Sequence, residues 1–360
     1  MLFKRIAAIC FTLAFLMAII LFAGIGAQNI PRLIAEFLFL GFGALVLNLI
    51  LLSLGINFRF KNSSDEEINR LKQINALKDE AYFKLEKQVL ERTKEIELKK
   101  QEIQEKNTEI ISSISYAKRI QEALLPSDEK IKHLLPASEL WYAPKDIVAG
   151  DFYWVDQKHF NGKNYTFFAV GDCTGHGVPG AMMSVLCVNA LNASLAKTVA
   201  PGTAKMLEIC NRLLNDNLNQ HSPDLNDGMD ISLCCFEPES STLYWSGANS
   251  PLWILQNNEL IEYTGTRRPI GKSISTQDFE EQKIILNNTD RLFLFSDGIV
   301  DQFGGDYSKK FKKVQLRKSI LASAGVTLNE QLNFIKKNIL DWKGSTEQVD
   351  DIALLIVECG

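Results

Sequence analysis

The sequence predicts an α+β fold in which antiparallel β-sheets are covered by helices, preceded by a membrane hairpin and a long helical connector. Three observations support it. Two uncharged apolar runs occupy residues 1–60, and a charged stretch with a seven-residue repeat follows them. From about residue 138 onward, β-rich runs are separated by turns and amphipathic helices. Runs of strands followed by pairs of helices, rather than strict alternation, are typical of antiparallel sheets with covering helices.

The average composition of the 360 residues hides these contrasts. Hydrophobic residues make up 46% and charged residues 23%, and the formal net charge is -4, from 39 basic and 43 acidic side chains. These values exclude collagen-like, disulfide-scaffold and wholly disordered classes. They also give no support for nucleic-acid binding, which usually shows as a strongly basic domain.

The two apolar runs predict a pair of transmembrane helices. Residues 6–27 and 37–58 contain no charged side chain, and each run exceeds the roughly 20 apolar residues that cross a bilayer. Basic residues flank the pair on its outer sides, at Lys4, Arg5, Arg59 and Lys61. The positive-inside rule therefore predicts an inner-membrane protein with both ends in the cytoplasm. The alternative is a signal peptide followed by one anchor, but the first run is long for a signal peptide and lacks a clean cleavage site.

Cysteine usage agrees with a cytoplasmic location for the rest of the chain. There are seven cysteines, an odd number, and none forms a C-x-x-C pair. Neither a disulfide framework nor a zinc site is indicated, and we expect reduced thiols.

Residues 61–125 predict a helical coiled-coil connector. Residues 65–109 contain no glycine or proline. Apolar residues recur every seven positions, at Tyr82, Val89, Ile96, Ile103, Ile110, Ala117 and Leu124. The companion position is mostly polar, with Leu85, Arg92, Lys99, Lys106, Ser113 and Ile120. We expect a homodimer through this marginal coiled coil, and the alternative is a single solvated helix.

Four carboxylates follow the same pattern within residues 126–360. Each lies beside an apolar strand and next to a glycine or a second aspartate, and they are Asp151, Asp172, Asp297 and Asp350. Any one of these motifs is explained equally well by ordinary turn chemistry. Four converging carboxylates would repel one another unless cations lay between them, and all-oxygen ligands suit Mg²⁺ or Mn²⁺. The pattern therefore favours a divalent-metal site.

These motifs resemble the metal-dependent protein phosphatase 2C (PP2C) superfamily, in its bacterial sporulation stage II protein E branch. The resemblance is carried by residues 150–153, 170–181, 295–298 and 350–353, with support from 120–126 and 245–252. It implies a two-sheet antiparallel α/β sandwich over the catalytic domain, residues 126–360. It also implies a serine/threonine phosphoprotein phosphatase with two Mn²⁺ or Mg²⁺ ions, in which a metal-bridging water attacks phosphorus in line.

The resemblance also implies roles for individual residues. Asp172 would bridge the two metals, Asp151 and the backbone carbonyl of Cys173 would complete one ligand set, and Asp297 and Asp350 would serve the other. Asp172, Asp151 and His176 are the candidate catalytic residues. His176 would protonate the leaving oxygen, although it is offset from the histidine position of the eukaryotic members.

Four further residues receive weaker assignments. Asp351 is expected to form hydrogen bonds at a strand end, and Asp230 to reach a third metal or to stabilise a turn. Arg267 and Arg268 are candidates for a phosphate contact because they flank a turn.

Two other functions would explain part of the sequence. A sensor histidine kinase would also have a membrane hairpin, a coiled coil and a glycine-rich acidic loop such as residues 172–177, but no histidine lies in the connector. A catalytically inactive scaffold that binds phosphoproteins would be expected to have lost one of the four carboxylates. The expected partners are the membrane, a second copy of the chain and a phosphorylated signalling protein. The resemblance suggests a regulator of the anti-sigma-factor-antagonist type as that protein.

Overall fold

The computed structural model describes residues 32–221, 227–273, 275, 277–305 and 307–359, together with Thr12. Apart from Thr12, the predicted apolar run 6–27 lies outside the described residues. The chain divides into two units, residues 1–103 and 104–360.

The described part of the first unit is helical. Helix α1, Arg32–Leu124, contains the second apolar run and the charged connector, so the helical conformation predicted for both is confirmed. The lack of glycine and proline over residues 65–109 removes the two residue types that most disfavour a helix interior. Among the side chains described in this run, Phe39, Leu45 and Leu52 are exposed.

The second unit contains six further α-helices and thirteen strands among its described residues. The helices are α2 Asp128–Leu134, α3 Gly177–Lys197, α4 Thr203–His221, α5 Gly298–Asp301, α6 Lys312–Ala322 and α7 Leu328–Lys343. The strands are β1 Ser138–Ala143, β2 Phe152–Phe160, β3 Lys163–Cys173, β4 Gly228–Glu237, β5 Thr242–Ala248, β6 Leu252–Gln256, β7 Glu259–Tyr263, β8 Ile270–Gly271, β9 Gln282–Ile285, β10 Arg291–Phe295, β11 Phe303–Gly304, β12 Lys309–Lys310 and β13 Ile352–Glu358.

The strands form two main antiparallel sheets, as predicted. One has the order β1-β13-β10-β6-β7, and the other has the order β2-β3-β4-β5-β9 with β8 paired to β4. Every pairing between these strands is antiparallel. Strands β11 and β12 form a small separate hairpin.

Three buried clusters define the layers of this unit. Strand β3 shows the principle, because Phe167 and Ala169 pack with helices α3 and α4, whereas Phe168 and Val170 pack between the two sheets. This is the two-residue alternation of a strand that is buried on both faces. A third cluster packs the first sheet against α6 and α7. The result is a helix–sheet–sheet–helix sandwich.

Helix α3 is the apolar helix of this core. Over the described residues, a test of length and composition marks only Gly177–Lys197 as able to cross a membrane, and 56% of its apolar stretch is buried within the structure. The burial of residues such as Cys187 and Leu191 in the core accounts for this apolar character.

Candidate active site

The predicted carboxylates converge at one edge of the sandwich. Asp172, Asp297 and Asp350 line the same cavity of about 320 Å³. Asp151 lies close enough to Asp172 for the two charges to repel each other. Residues more than 170 positions apart in the sequence are therefore brought together, as the strand-end pattern predicts.

Asp172 lies at the centre of this group. It is near the end of β3, directly opposite Asp230 on β4 in the antiparallel register. Burial, with added repulsion from Asp297 and Asp350, raises the pKa of Asp172 to about 8. When one of the two is protonated, the carboxyl groups of Asp172 and Asp297 can share a hydrogen bond, which raises the pKa of Asp172 further.

Asp151 is the most buried of the predicted ligands. Its Oδ2 atom has no hydrogen-bond partner among the described residues. Burial, followed by repulsion from Asp172, holds the pKa of Asp151 well above its usual range. A buried oxygen without a partner is costly unless a bound group satisfies it.

The residues fit a divalent-metal site in which water supplies part of the coordination. No group of three or more His, Cys, Asp or Glu side chains among the described residues is arranged to enclose an ion by itself. Mg²⁺ keeps several of its waters and uses only one or two carboxylates, so spaced carboxylates around a cavity suit it. The unpartnered oxygen of Asp151 and the mutual repulsion at Asp172 are what a cation would relieve.

A clamp made by Asp351 supports the segment that carries Asp151. The backbone N–H groups of Lys145 and Gly150 donate to its Oδ1 and Oδ2, each at 2.7 Å. The predicted hydrogen-bonding function of Asp351 is thus seen, with partners about 200 residues away. Gln121 adds a second support, because its Nε2 donates to Ala149 O at 2.6 Å.

Close backbone packing explains one glycine of this segment. A Cβ atom at Gly150 would lie 2.5 Å from the carbonyl oxygen of Gly175, nearer than real Cβ contacts allow. Glycine therefore lets the Asp151 segment pack directly against the loop that follows β3.

The remaining candidates are placed as follows. Cys173 is buried at the end of β3 and lines the cavity. His176 lines it too, and its Nδ1 lies 3.0 Å from Asp146 Oδ2. Asp230 lines it and accepts a hydrogen bond from Asn249 Nδ2 at 2.8 Å.

The structure does not place the two predicted arginines along the cavity. Arg268 bonds instead to Glu208 and to Gln277 O, and its guanidinium lies 4.6 Å from the ring centre of Phe279. Lys272, which belongs to none of the sequence motifs, is the only lysine or arginine among the described residues that line the cavity. Its position next to β8, which pairs with β4 beside Asp230, is a tertiary feature without a local sequence signal.

This architecture defines a class of protein. A two-sheet antiparallel sandwich with aspartates gathered at one edge is the fold of the PP2C-type serine/threonine phosphatases. The chain belongs to the stage II sporulation protein E (SpoIIE) family, whose sequence profile matches residues 162–360. The enzyme class is therefore a protein phosphatase, and the family assignment does not support the alternative of a sensor histidine kinase.

Three bacterial protein structures are similar to this chain, and the first of them supports this fold. The SiaA-PP2C domain of Pseudomonas aeruginosa is 27% identical, with a TM-score of 0.63 over 70% of this chain and 98% of that one. A fragment of SpoIIE from Bacillus subtilis, containing its PP2C phosphatase domain, is 18% identical, with a TM-score of 0.48 over 62% and 61% of the two chains. The RsbU and RsbW domains of a Mycobacterium tuberculosis protein are 18% identical, with a TM-score of 0.47 over 62% and 60%. A search of curated protein sequences found no match.

Proposed function

We propose that this protein is a membrane-anchored, divalent-metal-dependent phosphatase that dephosphorylates phosphoserine or phosphothreonine in a signalling protein. The observation that carries the proposal is the group of repelling carboxylates around one cavity, with a buried Asp151 oxygen that lacks a partner among the described residues. The chain belongs to a phosphatase family, so we propose that these carboxylates hold the metal ions for phosphate hydrolysis.

The proposed ligands are the predicted ones. The charge of Asp172 is repelled by Asp151, Asp297 and Asp350, and we propose Asp172 as the residue shared by two ions. The backbone carbonyl of Cys173 is the proposed fifth protein ligand. Bound Mn²⁺ or Mg²⁺ would lower the pKa of water and stabilise charge on the transferring phosphoryl group. Asp230 is the proposed ligand for any third ion.

Two other side chains along the cavity have proposed tasks. Lys272 would bind an oxygen of the phosphoryl group as a point charge. His176 would supply the proton that the departing serine or threonine oxygen requires. Both residues line the cavity that contains the carboxylates.

Exposed apolar residues support the membrane and dimer parts of the proposal. The side chains of Phe39, Leu45 and Leu52 are 57% to 73% exposed, which suits contact with lipid. The heptad residues Ile96 and Ile103 are 64% and 68% exposed, so both are available to a second copy.

Charged residues at the polar companion position of the heptad repeat form ion pairs within helix α1. Arg92 and Lys99 occupy the companion heptad position, and each pairs with Glu95 at 2.8 Å. These charges therefore need no partner across a dimer seam. We propose a homodimer in which the connector geometry regulates the cytoplasmic catalytic domain.

The proposed substrate is a small phosphorylated regulator of the anti-sigma-factor-antagonist type. The neighbour from Mycobacterium tuberculosis joins RsbU and RsbW domains in one structure. Regulators of this type are the first substrates to test on this chain.

Phosphate release from synthetic peptides tests the proposal. The full-length protein in detergent should hydrolyse phosphoserine and phosphothreonine peptides with Mn²⁺ and lose this activity with excess chelator. Asp297→Asn should be inactive, whereas Asp341→Asn, which removes an exposed carboxylate of α7, should retain full activity. Tight binding of phosphopeptide without phosphate release would instead support the inactive scaffold.

A further inference from the structure

We propose that Asp146 is a positioning residue that holds His176 in the orientation needed to protonate the leaving serine or threonine oxygen. The inference rests on the proposed phosphatase function. It adds a residue that is neither one of the metal ligands nor part of the cavity lining.

The contact between the two side chains is the first support. Asp146 Oδ2 lies 3.0 Å from His176 Nδ1, within hydrogen-bonding distance. His176 directly precedes α3 with an extended backbone, φ -119° and ψ 172°, and its side chain does not cap the helix. The imidazole is thus engaged with Asp146 instead of the helix N-terminus.

Gly177 makes room for this contact. Its φ is +64°, in the region that favours glycine. A Cβ atom there would lie 3.2 Å from Asp146 Oδ2, so a larger residue would crowd the carboxylate that holds the histidine.

The Asp146 segment is fixed from both sides. Asp351, which is almost fully buried, accepts hydrogen bonds from the backbone N–H groups of Lys145 and Gly150 at 2.7 Å. One of these amides precedes Asp146, and the other precedes Asp151. A single clamped segment therefore sets the position of a proposed metal ligand and of the residue that orients His176.

The tautomer follows from the geometry. An imidazole whose Nδ1–H donates to a carboxylate keeps Nε2 for its other partner, and the carboxylate fixes the ring. Since His176 lines the cavity, Nε2 is the nitrogen left for the substrate. The exposed fractions of the two side chains, 55% for His176 and 48% for Asp146, allow the ring to be reprotonated from solvent.

The proton balance of hydrolysis defines what this pair contributes. Water adds its oxygen to phosphorus and the bond between phosphorus and the serine oxygen breaks. The attacking water leaves one of its protons on the new phosphate and releases the other to solvent. The departing oxygen takes one proton from Nε2–H of the imidazolium, and the neutral imidazole regains a proton from solvent, so hydrolysis produces no net proton. An alkoxide is a poor leaving group and needs this proton, whereas p-nitrophenolate leaves readily without it.

Leaving-group dependence is therefore the test. The full-length protein with saturating Mn²⁺ is assayed on a phosphoserine peptide and on p-nitrophenyl phosphate. For His176→Gln, kcat on the peptide should fall about 100-fold, as removal of a general acid does. For Asp146→Asn it should fall about 10-fold, with a loss below about 3-fold on the aryl ester for both variants. The double variant should be no slower than His176→Gln alone, because the two residues act as one unit.

Structural damage is separated from loss of positioning by the controls. A half-exposed ion pair contributes little to stability, so Asp146→Asn should unfold at the same temperature as the wild type. Asp341→Asn should match the wild type on both substrates. Equal losses on the two substrates, no loss on the peptide, or additive effects in the double variant would overturn the positioning role. A wild type that hydrolyses neither substrate would overturn the proposed function itself.

Discussion

Replacing Asp172 with asparagine should stabilise the metal-free protein while it abolishes activity. Burial and neighbouring charges raise the pKa of Asp172 from 3.8 to about 8. The difference between these two pKa values corresponds to at most about 6 kcal/mol against the ionised form. Partial exposure and solvent screening reduce this, and we expect a gain of about 1–3 kcal/mol. For a domain of this size, this amounts to a rise of about 3–10 °C in Tm.

The pH dependence of this gain follows from the direction of the pKa shift. The folded-state pKa of Asp172 lies above its unfolded-state value. Asp172 therefore does not destabilise the wild type below about pH 4, and its destabilising effect grows as the pH rises towards 8. The Tm of Asp172→Asn should therefore exceed that of the wild type by a large margin at pH 8 and by a small margin near pH 4.5. Mn²⁺ at pH 8 should stabilise the wild type more than the variant, since the cation relieves the same repulsion.

Tryptophan fluorescence measures the Tm of Asp172→Asn and of the wild type in the full-length chain. All five tryptophans lie within the second unit, at Trp141, Trp154, Trp245, Trp253 and Trp342. Thermal unfolding is followed with chelator at both pH values, with Asp341→Asn as the matched control. A lower Tm for Asp172→Asn than for the wild type at pH 8, or a difference independent of pH, would refute the argument from carboxylate repulsion.

Three further predictions concern the cavity, its backbone and the connector. Lys272→Met should raise KM for a phosphoserine peptide about 10-fold with little change in kcat, as loss of one charged hydrogen bond does. Lys272→Arg should retain most of the affinity. An unchanged KM for Lys272→Met would argue against a contact between Lys272 and the phosphoryl group. Gly150→Ala should lower activity at least about 10-fold and weaken Mn²⁺ activation, because its Cβ would lie 2.5 Å from a backbone oxygen. Gly325→Ala is the control, since its Cβ would meet nothing within 4 Å. Equal activities of the two variants would contradict the packing argument. The double variant Ile96→Glu/Ile103→Glu should convert the dimer to a monomer in light scattering from detergent solution, and an unchanged mass excludes this seam.

The location of the four carboxylates could be predicted because it depends on local sequence. An aspartate close to either end of an apolar strand lies at the sheet edge, wherever that strand is placed. Antiparallel pairing then fixes details such as Asp172 opposite Asp230. The fold of residues 126–360 was likewise readable from strand and helix patterns together with the family resemblance.

The supporting residues could not be predicted because their partners are distant in sequence. Asp351 was expected only to form hydrogen bonds, and its clamp on residues 145 and 150 depends on β13 lying close to that segment. Arg268 is next to a turn in the sequence, but its guanidinium bonds to Glu208 and lies over the Phe279 ring instead of facing a phosphate. Lys272 and Asp146 gain their significance from where β8 and the clamped segment lie.

The most direct test of the account is a Mn²⁺ titration that measures metal binding and phosphoserine hydrolysis in the same samples. The wild type should bind Mn²⁺ and release phosphate over the same concentration range, since both depend on the same carboxylates. Asp172→Asn should bind fewer ions and release no phosphate above background, while Asp341→Asn should follow the wild type. Undiminished hydrolysis by Asp172→Asn, or by the wild type in excess chelator, would contradict the account.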